Sequence, residues 1–541
     1  MSKRYNNNLA RLFAPKSAAF IGGSSAELAA KQCVKGGFKG KVWGVNPNRS
    51  MMAGQPCFNT VDELPCGPDI IFLAVPSTAA IEVVNKLRIK GAGGVVCYSA
   101  GFSELGDSGT KHEEKLIEAA GDMAFVGPNC SGMLNYVKNV ALWPFDHGGD
   151  AGGSSVKCGP AFITQSGMLG NTVTMNQRNL AFSYIISSGN QGQMGVEDFL
   201  GVLVRDPKVS AVGLYIEGLR DVSKFVDIAI EALAAGKPIV AQKVGTSDIG
   251  AKLTVTHTGS LSGIDILYSA LFRRLGIIRV NSSVTLLETL KLINTAGIPK
   301  GNRIAGLTCS GGDSTMLADA GEPLGLVFPE SSTNVKNQLT ELLPSIATVA
   351  NPLDYTTPLW GNETELIKTF SAMLSDPYDA AILIQDYPAL VGGDSYEPYL
   401  ADVRAFETVI KRAKIPGIVC SILPENLDGK VRKDVSEKGL APLQGINDAL
   451  CAIAGVSKFG MLSNEFKLNP QNLKLLRGPS NFTKDWSLSE RHSKLCLAEA
   501  GVPIPDGQVV TADIASSIAS EIGFPVVLKI ESADISHKTE L

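Results

Sequence analysis

Charge is scarce in this 541-residue sequence. Asp, Glu, Lys and Arg make up 19% of it, and 49 basic against 53 acidic residues leave a net charge of −4. No polybasic surface arises from that balance, which excludes nucleic acid and anionic lipid as main partners. No run of about 18 apolar residues occurs, so no membrane-spanning helix is expected. The opening MSKRYNNNLARLFAPKS is too polar to read as a secretory signal. Ten cysteines are scattered without one CxxC spacing, which supports neither a zinc site nor a redox dithiol. The expectation is a soluble cytoplasmic protein with reduced thiols and no assigned metal ligand. Histidine is rare, at five residues, so each one can be weighed.

Glycine, by contrast, is plentiful at 56 residues, and 44% of the chain is apolar. The length fits about three to four domains. From Ser17 the chain repeats apolar strand, glycine turn and helix. The strands SAAFIGG, KVWGVN, DIIFLAVP, GGVVCYSAG and AFVGPN are continuous apolar runs, the pattern of parallel strands covered on both faces. Helical patterns, TAAIEVVNKLRIKGA and TKHEEKLIEAAG, lie between them. Residues 1–143 are therefore expected to form a doubly wound parallel sheet. The glycine- and serine-rich stretch 144–159 reads as a linker.

Two further α/β units, 160–300 and 301–458, look like an internal repeat. Each has a strand, a Ser-Gly turn and a helix (AFITQSG; IAGLTCSGGDS). Each has an Asp-Pro before a strand, at Asp206 and Asp376, then a strand opened by proline, and each closes with a helix, a glycine and a short strand. Only the first copy inserts TSDIGAKLTVTHTGSLSG, read as a loop. Residues 459–484 are expected to be a second linker. In 485–541, Ser487 to Glu490 form a capping box that opens a helix, followed by another helix and the strand PVVLKI.

Several of these features carry chemistry. In the turn Gly22-Gly23-Ser24-Ser25, free N–H groups and the helix dipole would hold a phosphate. NAD fits poorly: the GxGxxG spacing is absent, and the second strand ends in Asn46-Pro47-Asn48-Arg49 with no carboxylate for a ribose diol. Arg49 favours an extra phosphate instead. His112 is expected to face solvent, His147 lies in the linker, His492 in the capped helix and His537 in the last segment. His257 differs, because hydroxyls (Thr256, Thr258, Ser260) surround it and Gly259 and Gly263 allow close backbone approach. Ser166-Gly167 and Ser310-Gly311-Gly312 open helices in the two repeated units, and converging helix starts would cradle one anion. Glu217 ends the strand LYIEG, placed to accept the second imidazole N–H and stabilise imidazolium. Neutral imidazole is nucleophilic, and phosphoryl relay rests on positioning and charge stabilisation.

These residues resemble the NDP-forming acyl-CoA synthetases, the ADP-forming acetate–CoA ligases related to succinyl-CoA synthetase, over essentially the whole chain. IGGSS, LAVPSTAA, YSAGFSELG and VGPNCSGMLN resemble the CoA-binding domain. ITQSGMLG, SSGNQGQ, LYIEGLRD and THTGSLSG resemble the ligase domain, and TCSGGDS and VANPLDYTT the third. GVPIPDG through FPVVLKIESADISHKTE resembles the opening of an ATP-grasp domain. The resemblance implies an α/β fold: a Rossmann-like CoA-binding domain, two flavodoxin-like succinyl-CoA-synthetase-type domains and an incomplete ATP-grasp segment.

It also implies roles. His257 would be the phosphorylated histidine, Glu217 its orienting carboxylate, and Ser166, Gly167, Ser310, Gly311 and Gly312 the phosphate-holding helix starts. CoA would be bound by Gly22, Gly23, Ser24, Ser25, Asn46, Arg49, Val75, Pro76, Ser77, Ser99, Ala100 and Gly101. Lys529 would contact the nucleotide. The implied reaction joins a small-molecule carboxylate to CoA with ATP and Mg2+, giving acyl-CoA, ADP and phosphate through an acyl phosphate and a phosphohistidine. Because the ATP-grasp pattern stops at HKTE, weak or no net ligase activity is expected of this chain alone. It is expected to act as a homo-oligomer or with an ATP-grasp chain. The competing readings are a non-catalytic CoA-binding or regulatory protein, a subunit needing a separate nucleotide-binding chain, and a nicotinamide oxidoreductase. Trp143 and Trp360 are candidates to line an acyl pocket, although packing is the commoner use of tryptophan.

Overall fold

Strand β1 (Ser17–Gly22) is buried along its length, because its continuous apolar run has helices on both sides. The computed structural model describes residues 2–148, 158–258, 265–388, 396–476 and 488–531. It divides into two units, Met1–Leu476 and Arg477–Leu541.

The first sheet adds β2 (Lys41–Val45), β3 (Met51–Met52), β4 (Gln55–Phe58), β5 (Ile70–Ala74), β6 (Gly94–Cys97) and β7 (Ala124–Val126). Its order is β3-β4-β2-β1-β5-β6-β7, parallel apart from the short β3–β4 pair. The order reverses at β1. A crevice therefore opens above the carboxyl ends of β1 and β5, where such sheets take ligands. Phe20, Phe72 and Val96 close the core beneath it, each full burial of a large apolar side chain contributing roughly 1.5–3 kcal/mol.

The second sheet comprises β8 (Met133–Asn135), β9 (Val140–Leu142), β10 (Gly159–Thr164), β11 (Tyr184–Ser187), β12 (Val209–Ile216), β13 (Ile239–Lys243) and β14 (Ile278–Arg279). Its order is β14-β13-β12-β10-β11-β8-β9. The β8–β9 hairpin falls inside the stretch assigned above to the first domain, yet it pairs antiparallel with β11. A free edge on β11 is what the hairpin covers. Gly159, the last residue of the expected linker, opens β10; residues 149–157 lie outside the described residues.

The third sheet contains β15 (Ile304–Thr308), β16 (Leu353–Asp354), β17 (Ala380–Ile384), β18 (Gly417–Ser421) and β19 (Ala441–Gln444), in the order β16-β15-β17-β18-β19. Counted from their first strands, β10 to β14 and β15 to β19 both run 2-1-3-4-5, the flavodoxin-like order. The internal repeat is therefore real in topology. The two copies pack through the helices Ser283–Thr295 and Ile446–Leu468. Between them Glu288, fully buried, pairs with Arg178 and with Lys291, also fully buried.

The expected linker 459–484 is helical for most of its described part. The helix Ile446–Leu468 continues through Phe459, Gly460, Ser463 and Phe466, all buried, and a 3-10 segment Pro470–Leu476 follows. Buried contacts along one face carry the helix past the point where its pattern thins. Residues 477–484 lie outside the described residues.

In the second unit the first helix is Glu490–Glu499, capped by Ser489 rather than Ser487; Ser489 Oγ accepts from His492 N. The cap takes the serine next to the first helical residue, whose hydroxyl reaches the third amide. The expected strand PVVLKI is irregular, with Val527 and Leu528 exposed; no strand pairs with it among the described residues, and an unpaired strand is not stable. Among the described residues no helix is long and apolar enough to cross a membrane.

Candidate active site

Three turns meet over the carboxyl ends of β1, β5 and β6. At the first, Gly22 has φ +136°, and a Cβ there would lie 2.1 Å from Ala74 O, so only glycine lets the turn pass this close to β5. The helix Ser24–Lys35 starts immediately after Gly23, which is exposed with open space around it. The second turn, Val75-Pro76-Ser77, leads into the helix Ser77–Ile89. In the third, Ser99 Oγ donates to Val75 O, and Gly101, at φ +105°, lies beside Ser77 Oγ. Gly22 to Ser25, Val75 to Ser77 and Ser99 to Gly101 are thus brought together, as the resemblance implies.

Two expected CoA contacts have other partners. Asn46 Nδ2 donates to Gly22 O at 2.8 Å and its Oδ1 accepts from Asn48 N, which makes it a brace for the glycine turn. Arg49 pairs with Glu27 in the first turn of the helix Ser24–Lys35. The hydrogen bond from Arg49, with that from Lys31, holds the Glu27 carboxyl below its ordinary range. The crevice keeps its backbone N–H groups and helix start for an anion, so a CoA phosphate fits; the Arg49 charge is already engaged.

In the second sheet the Thr164-Gln165-Ser166-Gly167 turn follows β10. Thr164 Oγ1 accepts from Ser166 N at 3.0 Å, and Ser166 Oγ accepts from Leu169 N, capping the helix Gly167–Thr174. Glu217 follows β12, next to β10 in the sheet. Gln165 knits the two turns: its Oε1 accepts from Glu217 N and Gly218 N, and its Nε2 donates to Gly218 O at 2.7 Å. The Glu217 Oε2 atom is buried and has no hydrogen-bond partner among the described residues. A buried carboxylate oxygen without a donor is costly, so a donor brought to it would be held favourably.

His257 lies on the helix Asp248–Thr258, not in the expected loop. Ser247 Oγ accepts from Gly250 N, the hydrogen bond of an N-cap, and the small polar residues after it can continue as helix. This helix lies against the 3-10 turn Ser103–Leu105, directly after the Gly101 loop. The His257 side chain and residues 259–264 (with Gly259, Ser260 and Gly263) lie outside what is described.

In the third sheet the same scaffold recurs. Thr308 Oγ1 accepts from Ser310 N, and Ser310 Oγ from Asp313 N, capping the helix Gly311–Gly321. Here, however, Asp313 stands in the first turn. Burial raises its carboxyl, as do the neighbouring Asp386 and Asp354 charges. Ser166 and Ser310 stand over different sheets, and among the described residues no hydrogen bond or ion pair joins the two turns.

The remaining candidates fall elsewhere. His112 is half-buried rather than fully exposed: its ring stacks on Phe102 and its Nε2 lies 3.1 Å from Ser77 O, because the helix face carrying it packs against the crevice. His147 is part-buried beside the Tyr136 hydroxyl, and burial lowers its basicity. His492 Nδ1 is 3.0 Å from Ser489 Oγ; His537 lies outside the described residues. Lys529 pairs with Glu490 at 2.9 Å within the second unit. Trp143 is fully buried in a core cluster, and Trp360 packs edge-on against Tyr399.

Sequence reasoning missed Gln165 and Lys243. Lys243 closes the apolar strand β13, paired with Ile216. It is 5% exposed and its ammonium lies 4.9 Å over the Tyr268 ring; burial lowers its pKa. A lysine ending an apolar strand beside Glu217 was the available signal. Among the described residues no cluster of His, Cys, Asp or Glu is arranged to hold a metal ion.

Known proteins share this organisation. Residues 16–136 match a CoA binding domain, 158–293 a succinyl-CoA ligase like flavodoxin domain, and 483–541 an ATP-grasp domain. A trans-feruloyl-CoA synthase from an unknown prokaryotic organism is 30% identical over 99% of this chain and 76% of its own. An ADP-forming acetate–CoA ligase (I) of Archaeoglobus fulgidus is 30% identical over 98% of this chain and 76% of its own. A solved structure shares the fold, with a TM-score of 0.75 and 24% identity over 86% of this chain and 99% of its own. It is the dinucleotide forming acetyl-coenzyme A synthetase 1 of Ca. Korarchaeum cryptofilum, in complex with phosphate and ADP.

Proposed function

The chain belongs to the NDP-forming acyl-CoA synthetases, and on that premise we propose how its residues divide the reaction carboxylate + CoA + ATP → acyl-CoA + ADP + phosphate. The crevice of the first sheet takes CoA through the Gly22–Ser25, Val75–Ser77 and Ser99–Gly101 turns, with Asn46 bracing the first. Residues 160–300 carry the relay and 301–458 a second, related turn, with 485–541 opening the nucleotide part around Lys529. His257 takes a phosphoryl group on one ring nitrogen and hands it to the substrate carboxylate. The thiol of CoA then attacks the acyl carbon and phosphate leaves. Glu217 accepts the N–H of the other ring nitrogen, which fixes the tautomer and stabilises the cationic ring. Ser166 and Gly167 supply helix-start N–H groups to the phosphoryl oxygens. Mg2+ accompanies the nucleotide; none of the described residues is assigned to it. The enzyme works in the cytoplasm, where its ten unpaired cysteines stay reduced, as a homo-oligomer or with an ATP-grasp chain.

The observation that carries this reading is the buried, unpartnered oxygen of Glu217 beside a capped helix start. The test is phosphoryl labelling of the full chain from acetyl phosphate. An acid-labile, base-stable label that disappears in His257→Ala supports the relay. No label in the wild type, or a label that survives the substitution, overturns it.

A further inference from the structure

One loop joins the two sites. Ser188 to Gln193, between β11 and the helix Val196–Arg205, hydrogen-bonds the end of the first sheet: Asn190 N donates to Pro128 O and Gly192 N to Gly127 O. The Asn190 side chain is fully used. Its Nδ2 donates to Glu104 Oε2 at 2.6 Å and to Glu113 Oε2 at 3.0 Å, and its Oδ1 accepts from Asn129 Nδ2. The second oxygen of Glu104 accepts the N–H of Gly101, in the CoA turn, at 2.5 Å. On the other side, Gln191 O accepts from Arg220 at 2.8 Å, three residues beyond Glu217. Gln191 is 5% exposed and sits at φ +60°, a backbone setting kept only where surroundings impose it.

We propose that Glu104 and Asn190 are positioning residues: a clamp that holds the CoA turn in register with the Glu217 turn, a statement that rests on the acyl-CoA synthetase reading above. Neither touches the reacting atoms. Glu104 orients the Gly101 N–H, and Asn190 anchors Glu104 to the loop that also holds Arg220. The geometry requires an amide at position 190. A carboxylate there would face Glu104 and Glu113 together, like charges within hydrogen-bond reach.

The test is calorimetric titration of the full chain with CoA, alongside labelling from acetyl phosphate, which needs no CoA. Losing the charged acceptor of Gly101 in Glu104→Ala is expected to weaken CoA about tenfold. Asn190→Asp should weaken it at least as much. Glu104→Gln keeps an acceptor for Gly101 but turns its amide NH2 on Asn190 Nδ2, so it should recover only part of the affinity lost in Glu104→Ala. Labelling should stay within about twofold throughout. Unchanged CoA affinity in both Glu104→Ala and Asn190→Asp overturns the clamp, as does a parallel fall of affinity and labelling. Should Asn190→Asp melt early, the Glu104→Ala and Glu104→Gln pair decides alone, equal affinities overturning the clamp. A wild type that fails to bind CoA, or fails to label, counts against the underlying reading instead.

Discussion

The second and third sheets contain the same turn twice and use it differently. Ile163 pairs with Leu214, and Leu307 with Leu383; three residues beyond those partners stand Glu217 and Asp386. Both are carboxylates above the switch point of their sheet. Asp386 is fully occupied, accepting from Ile422 N, Leu423 N and Asn426 Nδ2. Glu217 has one buried oxygen with no donor among the described residues. The first-turn residues differ too, since the helix Gly167–Thr174 has no acidic residue there and the helix Gly311–Gly321 has Asp313. A duplicated backbone thus supplies two helix starts, and in the proposed reading the first, with less acidic surroundings, takes the anion and the imidazole. Asp313, Asp354 and Asp386 oppose an anion at Ser310.

This contrast can be broken at several points. The largest effect is expected from Glu217→Gln, which replaces the free carboxylate by an amide and should slow His257 labelling about 100-fold. An unaffected rate would end the asymmetry. Next is pH. Burial raises the Asp402 carboxyl from 3.8 to about 6, in a site where it accepts from the Tyr355 hydroxyl and Gly361 N. Folding therefore takes up a proton between those values, and the stability contributed is complete below about pH 4 and lost as pH rises through 6, about 2–3 kcal/mol in all. In Asp402→Asn, melting followed from pH 4 to 7 should lose that slope, and an unchanged slope refutes the assignment.

Asp386→Asn should lower stability by about 1–2 kcal/mol, because an amide oxygen cannot replace both carboxylate oxygens, while labelling stays at the wild-type rate. A labelling defect there would give the third sheet a role it lacks in this reading. The smallest contrast separates two glycines. A Cβ at Gly167 would lie 2.3 Å from Ser131 Oγ, but one at Gly311 only 3.4 Å from Asp354 Oδ2. Gly167→Ala should cost about 1–2 kcal/mol by overpacking. Gly311→Ala should change melting by less than about half of that, and equal shifts would erase the difference.

Particular residues mark how far the sequence could be read. The turn at Gly22 and the two Ser-Gly turns stand where their local pattern put them, because strand, glycine and cap are short-range signals. The His257 segment became helix, since a capping serine and small polar residues are equally compatible with helix and loop. PVVLKI did not form its strand, as a strand depends on a partner from elsewhere. The β8–β9 hairpin changed sheets for the same reason: residues 133–142 look the same whichever edge they cover. His112 is half-buried because its helix face meets Phe102 and Ser77, which no periodicity announces.

By itself the sequence determined the element order, the duplicated strand–turn–helix units and the candidate residues, all properties of neighbouring positions along the chain. Only the tertiary structure decided that Gln165 ties Glu217 in place, that Arg49 is engaged by Glu27, and that of two equivalent carboxylates one is satisfied while the other has no donor among the described residues. Those outcomes depend on donors and acceptors brought from distant segments, and hydrogen-bond satisfaction is a property of the assembled fold.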